Sequence, residues 1–491
     1  MLMPLLLATL LLFVTYSYMK LRHKQFSQCA CLPQLPPSLL FGHLKTIDEY
    51  IRRGAADRHP DTVFSEMREA LGRPPLIFVS KASSLFPTST PKANLKHFAH
   101  LIGSTPILAS HGDEWKSLRK RFNPGFAPQY LVTLVPFILD KTLPFMAHLD
   151  DYALMDVDLE AQHLGSSDQG SLVRLFSELL GAYSDDMAGL PWWFIPRTEM
   201  KRRRLGKSIN VLVDDFSRRE FPEELGKSAA EDKSRSILAL SLGHTESLSL
   251  ELIDVTCDQL KTFLLAEHDT ASLILAWVFY ELLLGADTSP EAVRTSFLSP
   301  DGPEIVHKMA HVSAVIKETL RLHPPAGAAR LSGHGTGFTV HTLAGEDYCL
   351  DGVIIYNCET IIHRDPAVYG DSANRFVSER WLNEGDASPR GLSTTRRVPA
   401  SFWRPFERGP LSCIGQELAS FETCIIIAFA ARRYDFTKVG LDEIARDGHG
   451  RPIMNEKGNY QLKLSLYNTR QVTSKPVDGM KVRVCRAGKV N

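Results

Sequence analysis

Residues 406–415 read Phe406-Glu407-Arg408-Gly409-Pro410-Leu411-Ser412-Cys413-Ile414-Gly415, and a largely apolar, proline-free run continues from there to about Arg433. A turn rich in Gly and Pro thus delivers one cysteine to the start of a helix. Helix N-termini offer free N–H groups and the positive end of the dipole, and both favour a thiolate. Gly409 permits a tight turn, and Gly415 permits the close approach of a flat ligand. The other cysteines, Cys29, Cys31, Cys257, Cys349, Cys358, Cys424 and Cys485, are scattered and form no Cys-x-x-Cys pair. They fit ordinary structural positions better than a zinc or redox motif.

Outward from this loop the chain alternates long helical patterns with short strands. Residues 304–323 read as a helix stopped by Pro324 and Pro325, because proline cannot continue one. Residues 250–284 carry apolar positions at helical spacing without a proline, the pattern of a long, mostly buried helix. Residues 113–121 predict a helix with a basic face, and 201–204 a solvated basic face. Residues 75–80 and 353–356 predict strands. The expected fold is mainly α with small β-sheets, an α+β class.

The N-terminus is different in kind. Residues 2–19 contain no charge, just enough length to cross a bilayer core. Lys20, Arg22, His23 and Lys24 follow at once, and positive charge keeps to the cytoplasmic side. A cleaved signal would carry its charge before the apolar run. The expected organisation is therefore a transmembrane anchor over 1–19, a basic and proline-rich linker over 20–40, and one large domain over 41–491 facing the cytosol.

Composition narrows the function. The 491 residues hold 56 Lys+Arg and 56 Asp+Glu, a net charge of zero, which excludes a whole-chain nucleic-acid binder. Hydrophobic residues make up 44% and charged residues 23%, which excludes wholesale disorder. Eight cysteines in this length exclude a disulfide scaffold. No Gly-x-Ser-x-Gly, Walker A or Gly-x-Gly-x-x-Gly precedes a suitable helix. His307 and His311 stand four apart without the Glu of a zincin, and read as surface residues.

A thiolate on a loop ahead of a helix is what a haem iron with an axial cysteine requires. Upstream, Glu318-Thr319-Leu320-Arg321 puts an acid and a base on one helix face. Glu-x-x-Arg occurs five times in the chain, but only this copy runs on into Leu322-His323-Pro324-Pro325. With both motifs in this order, the chain resembles the cytochrome P-450 superfamily of haem-thiolate monooxygenases over about residues 30–475. Trp115 and Arg119, Ala266 to Thr270, and the stretch from Phe376 to Trp381 also match segments of that family.

The resemblance implies a single haem domain and the following roles. Cys413 is the thiolate ligand of haem b, with Phe406 packed beside the sulfur and Gly409 and Gly415 shaping the loop. Asp269 and Thr270 relay protons at the oxygen site. Trp115, Arg119 and Arg330 hold the propionates, since a guanidinium matches a carboxylate in bidentate geometry. Glu318, Arg321 and Arg380 form a structural lock. The resemblance also implies an apolar small-molecule substrate and O2. Electrons come from NADPH through a partner reductase, with Lys120, Arg121 and Arg404 as candidate docking residues. The location implied is the endoplasmic reticulum membrane, single-pass, and the motif wording is similar to fungal members acting in secondary metabolism.

The sequence departs from the family at named places. Leu411 stands where Arg or His is usual, Glu267 where glycine is usual, and Ala271 where a second threonine is common. The stretch between 139 and 161 reads as lacking most of a helix, and 285–307 as abbreviated. An alternative reading is therefore a divergent relative without turnover, acting as an interaction protein.

Overall fold

The computed structural model describes residues 2–27, 30–74, 77, 98–155, 158–160, 170–184, 195–226, 237–242, 249–281, 309–331, 335–342, 345–382, 398–431, 433–454, 461–469 and 473–487. They gather into two compact units, one of residues 1–97 with 328–361, the other of 98–327 with 362–491. The sequence shows no break inside 41–491. The division is discontinuous, because a short segment returns to the N-terminal part, and composition along the chain carries no trace of that return.

The smaller unit holds helices α1 (Leu2–Arg22), α2 (Leu44–Ile51) and α3 (Pro60–Ala70). It also holds two antiparallel strand pairs, β2 (Ala328–Leu331) with β5 (Ile354–Asn357), and β3 (Thr339–His341) with β4 (Asp347–Cys349). Buried Asp61 of α3 accepts the hydroxyls of Tyr356 and Thr360, each at 2.8 Å, which ties α3 to β5. Helix α1 leaves Leu10, Leu11, Leu12 and Phe13 exposed. The strand expected over 75–80 falls almost wholly outside the described residues.

In the larger unit, helices α4 (Gly112–Phe122), α5 (Val135–Met155), α6 (Ser171–Ser184) and α7 (Pro196–Gly226) precede the long α8 (Leu250–Glu281). Helices α9 (Ala310–Leu322) and α10 (Gln416–Ala430) follow. A three-stranded antiparallel sheet is ordered β1 (Asp158–Glu160), β7 (Lys481–Arg486), β6 (Tyr434–Lys438). One core joins them: Leu139 and Leu149 of α5, Trp277 of α8, Leu320 of α9, Ile425 of α10, and Phe436 and Val484 of the sheet. Each such fully buried apolar side chain contributes about 1.5–3 kcal/mol.

Two sequence expectations are corrected here. Residues 135–155 form one continuous helix, so most of a helix is not missing after Leu139. Burial of Ile138, Leu139, Met146 and Leu149 carries α5 through Pro144, where propensity alone predicts a stop. In the run 201–204, Arg202 is fully buried rather than solvated. Its guanidinium donates to the Ala182 carbonyl and lies over the Tyr183 ring at 4.1 Å.

The segments 112–155 and 251–281 are long and apolar enough to cross a membrane by length and composition. Both contribute side chains to the core just described, which accounts for their apolar character within the larger unit.

Candidate functional site

The cysteine loop is built from short-range backbone bonds. Glu407 N–H donates to Arg404 O (2.8 Å), Ser412 N–H to Gly409 O (3.0 Å) and Cys413 N–H to Phe406 O (2.8 Å). Glu407 and Gly409 both adopt positive φ, +57° and +77°. The loop therefore needs glycine at 409, while at 407 the strain is held by bonds from Arg404 and Arg408 to the Glu407 carboxylate. Phe406 packs against the core beside Trp403.

Cys413 ends this loop at the mouth of α10. Burial in surrounding protein pushes its thiol up. The N–H groups of Gly415 and Gln416 and the Arg119 guanidinium pull it down. With burial dominant, metal ligation by this sulfur releases a proton. The Cys413 side is nevertheless reached by solvent. A Cβ placed on Gly415 would meet only Cys413 Sγ, at 3.9 Å, and its φ of −88° suits any residue. The protein itself thus does not require glycine there. Space is kept beside the sulfur, as a flat group over the loop would demand.

Helix α4 closes one side. Trp115 packs with Ile414 against Ile107, Leu118 and Phe122. Arg119 donates to Ser412 O (2.7 Å) and to Asn123 Oδ1 (2.8 Å), so it clamps the residue before the cysteine. An open recess of about 460 Å³ is lined by Trp115, Lys116, Arg119, Lys120, Asn123 and their neighbours.

Helix α8 has a gap of a related kind. Lys261, Thr262, Asp269 and Leu273 are buried, whereas Ala266 and Glu267 between them are exposed. Glu267 still has protein massed around it, and its carboxyl is pushed up by desolvation. Thr270 Oγ1 donates to Ala266 O (2.5 Å), leaving its lone pairs free to accept. Among the described residues no group of three His, Cys, Asp or Glu could chelate a metal. A site with one protein ligand fits an ion whose other ligands come from a macrocycle, so the residues present fit haem.

The structure brings together Glu318, Arg321 and Arg380. Arg321 grips the carboxylate twice (2.8 and 2.9 Å), Arg380 Nε donates to it at 3.1 Å, and Val377 N–H and Trp381 Nε1 each at 2.9 Å. Arg321 also donates to the carbonyls of His363, Ala373 and Arg375. Trp381 is a donor that the motif does not assign; its signal in the sequence is an indole next to Arg380.

Other expected residues have the following partners and exposure. Asp269 is buried, and its carboxylate is bound to the Thr473 hydroxyl and the Lys475 ammonium. Arg330 belongs to the smaller unit, on β2, where it donates to Ala329 O. Arg121 turns inward to Ser241 O and Thr256, and Arg404 pairs with Glu407, so neither is a free docking charge. Leu411 is 46% exposed. His311 is exposed, and His307 lies outside the described residues.

Comparison with known proteins agrees with this arrangement. The cytochrome P450 family model matches residues 171–464, more than half of the chain. Cytochrome P450 monooxygenase acrF of Aspergillus aculeatus is 28% identical, over 73% of this chain and 79% of its own length. Cytochrome P450 monooxygenase polC of Polytolypa hystricis is 22% identical over 82% and 81%. The bifunctional cytochrome P450/NADPH–P450 reductase ascE of Acremonium egyptiacum is 33% identical over 37% of this chain and 17% of its own length. With Cys413 presented on its loop and the Glu318 lock in place, the chain belongs to the cytochrome P450 family and is an oxidoreductase of the monooxygenase class.

Proposed function

We propose that this chain is a membrane-anchored haem-thiolate monooxygenase that oxidises an apolar small molecule in a fungal secondary-metabolite pathway. The observation that carries the reading is the Cys413 loop: a thiol at a helix N-terminus, faced by two N–H groups, with space kept beside it. Bound haem supplies the activation of O2. The chain's own residues hold and serve it. Cys413 ligates, and Phe406 shields the sulfur. Arg119 fixes the loop through Ser412 and, with Trp115, would hold the propionates. Thr270 handles a proton on the α8 face. Glu318, Arg321 and Arg380 keep the core in register.

Electrons come from NADPH through a separate reductase. The fused reductase of the Acremonium relative supports this, and exposed Lys120 offers a cation close to the cysteine loop. Helix α1, exposed and apolar ahead of a basic flank, supports an anchor in the endoplasmic reticulum membrane with the catalytic part in the cytosol.

The test is the carbon monoxide difference spectrum of the reduced protein. A Soret band at the thiolate position is expected, retained in Cys424→Ala and lost in Cys413→Ala. A well-folded protein without that band overturns the reading. It would favour the second reading, a relative without turnover, which the exposed Leu411 supports because that loop position offers no charge to a propionate.

A further inference from the structure

The strap of chain from Ile102 to Ile107, which leads into α4, is held on α8 by side chains that the proposed mechanism does not use. Asp258, Gln259 and Thr262 share one face of that helix, and all three are buried. Asp258 Oδ2 accepts the N–H groups of Ser104 (2.8 Å) and Thr105 (3.0 Å), and both of their hydroxyls at 3.1 Å. Gln259 binds the backbone both ways: its Oε1 accepts Ile107 N–H (2.8 Å), and its Nε2 donates to Thr105 O (2.7 Å). Thr262 Oγ1 donates to Ile102 O at 3.1 Å. Gly103 stands at φ +88°, and a Cβ there would fall on the Asp258 carboxyl, so only glycine lets the strap come this close to α8. Lys261 pairs with Asp258 Oδ1 (2.8 Å) and donates to Asn210 of α7 (2.9 Å). Burial pushes the Asp258 carboxyl up, but Lys261 and the Thr105 and Ser104 N–H groups together hold it below its ordinary value.

The far end of the strap meets the support of the cysteine loop. Ile107 packs with Leu118 and Phe122 of α4, and Trp115, Phe263 and Ile414 close on the same cluster. One turn on from Trp115, Arg119 holds Ser412 O, next to Cys413. Apolar contact has no direction, so this cluster by itself would let α4 slide. The hydrogen bonds to the strap do have direction, and they fix where Ile107 and the start of α4 lie against α8. We propose that Gln259 and Asp258 are positioning residues for the haem site: by pinning the strap on α8 they set α4, and with it the Arg119 clamp, against the Cys413 loop. They touch no reacting atom and act through α4. For the haem this rests on the monooxygenase reading.

The experiment uses full-length protein, with and without haem. Gln259→Met keeps the length of the side chain and removes both of its bonds to the strap. Gly103→Ala forces the strap away from Asp258 without altering α8. In the haem-free protein, amide hydrogen exchange across 113–122 and 406–415 should be faster in both variants. In the loaded protein, haem should pass to an acceptor protein about tenfold faster in Gln259→Met, the effect of two lost buried hydrogen bonds. Tyr434→Phe is the control for mere destabilisation, since it removes bonds to Met146 O and Asp150 on the other side of the core. It should lower the unfolding midpoint and leave haem loss and both exchange segments as in the parent. With Arg119→Met already in place, Gln259→Met should speed haem loss no further, because the clamp it supports is gone. Unchanged exchange across 406–415, losses that add to those of Arg119→Met, or an equal effect in Tyr434→Phe overturns the proposal. The carbon monoxide spectrum of the loaded parent tests the monooxygenase reading separately, since the exchange measurement needs no haem.

Discussion

Two clusters of charge lie in the larger unit, and they are built on opposite terms. Around Glu318 every acceptor is used: two arginines, an indole and a backbone N–H converge on one carboxylate, and the Glu318 and Arg321 side chains are fully buried. Around Glu267, Glu422 and Cys413 the groups are raised by burial and open to solvent or without a partner. The first cluster fixes the fold, and the second keeps its chemistry available. The difference shows how one core hosts both: polar satisfaction is spent where rigidity is needed and withheld where a ligand or proton must come and go.

The sharpest break comes at Glu318. Removing one partner of a buried pair leaves the other charge unpaired, a loss of about 3–5 kcal/mol. Arg321→Ala should therefore fail to fold or show a sharply lower denaturant midpoint. Cys413→Ala tests the other cluster. Unfolding of the haem-free variant should change by less than about 0.5 kcal/mol, because the site is reached by solvent and packs little. Its reduced carbon monoxide spectrum should nevertheless lose the thiolate band. If the two variants unfold alike, the division between the clusters is wrong.

Acid and base titration separate the clusters by sign. His363 lies within the Glu318 network and accepts Arg404 N–H at 3.0 Å, and burial lowers it to about 3. Below its ordinary value of 6.5 the unfolded chain binds a proton that the fold refuses, so this contribution is lost as pH falls from 6.5 toward 3. Glu422 behaves oppositely. Its raised carboxyl binds a proton that the unfolded chain releases above 4.5, so its contribution is lost as pH rises from 4.5 through about 7. Urea midpoints against pH should show both limbs. Glu422→Gln should flatten only the limb between 4.5 and 7. An unchanged limb there would mean that Glu422 is not buried as a neutral acid.

The centre of each cluster was legible in the sequence, and its distant partners were not. Glu318 and Arg321 sit one helical turn apart before a proline stop, and Cys413 sits on a glycine turn before a helix, so local spacing carries both. The partners of Asp269 were not legible, because Thr473 and Lys475 lie about 200 positions away on a loop with no motif. Helical period alone, however, places Glu267 and Asp269 on opposite faces, and only the second could pair with that loop. Arg202 misled for the converse reason: a basic run reads as solvated unless a distant ring and carbonyl are known to receive one member. The return of residues 328–361 to the N-terminal unit is likewise long-range and leaves no compositional mark.

The smallest effect expected is at Leu411, on the open side of the comparison. A buried charge-assisted bond contributes about 1.5–3 kcal/mol. Leu411 is 46% exposed, so solvent screens whatever charge is placed there, and the figure falls to about 0.5–1 kcal/mol. Leu411→Arg should accordingly slow haem loss only two- to fivefold, as read from transfer of haem to an acceptor protein. The unfolding midpoint of the haem-free protein should stay where it is, since position 411 takes no part in the packed core. A haem-loss rate that does not move would show that Arg119 and its neighbours already satisfy the propionates, and that the family's usual cation at this position is dispensable here.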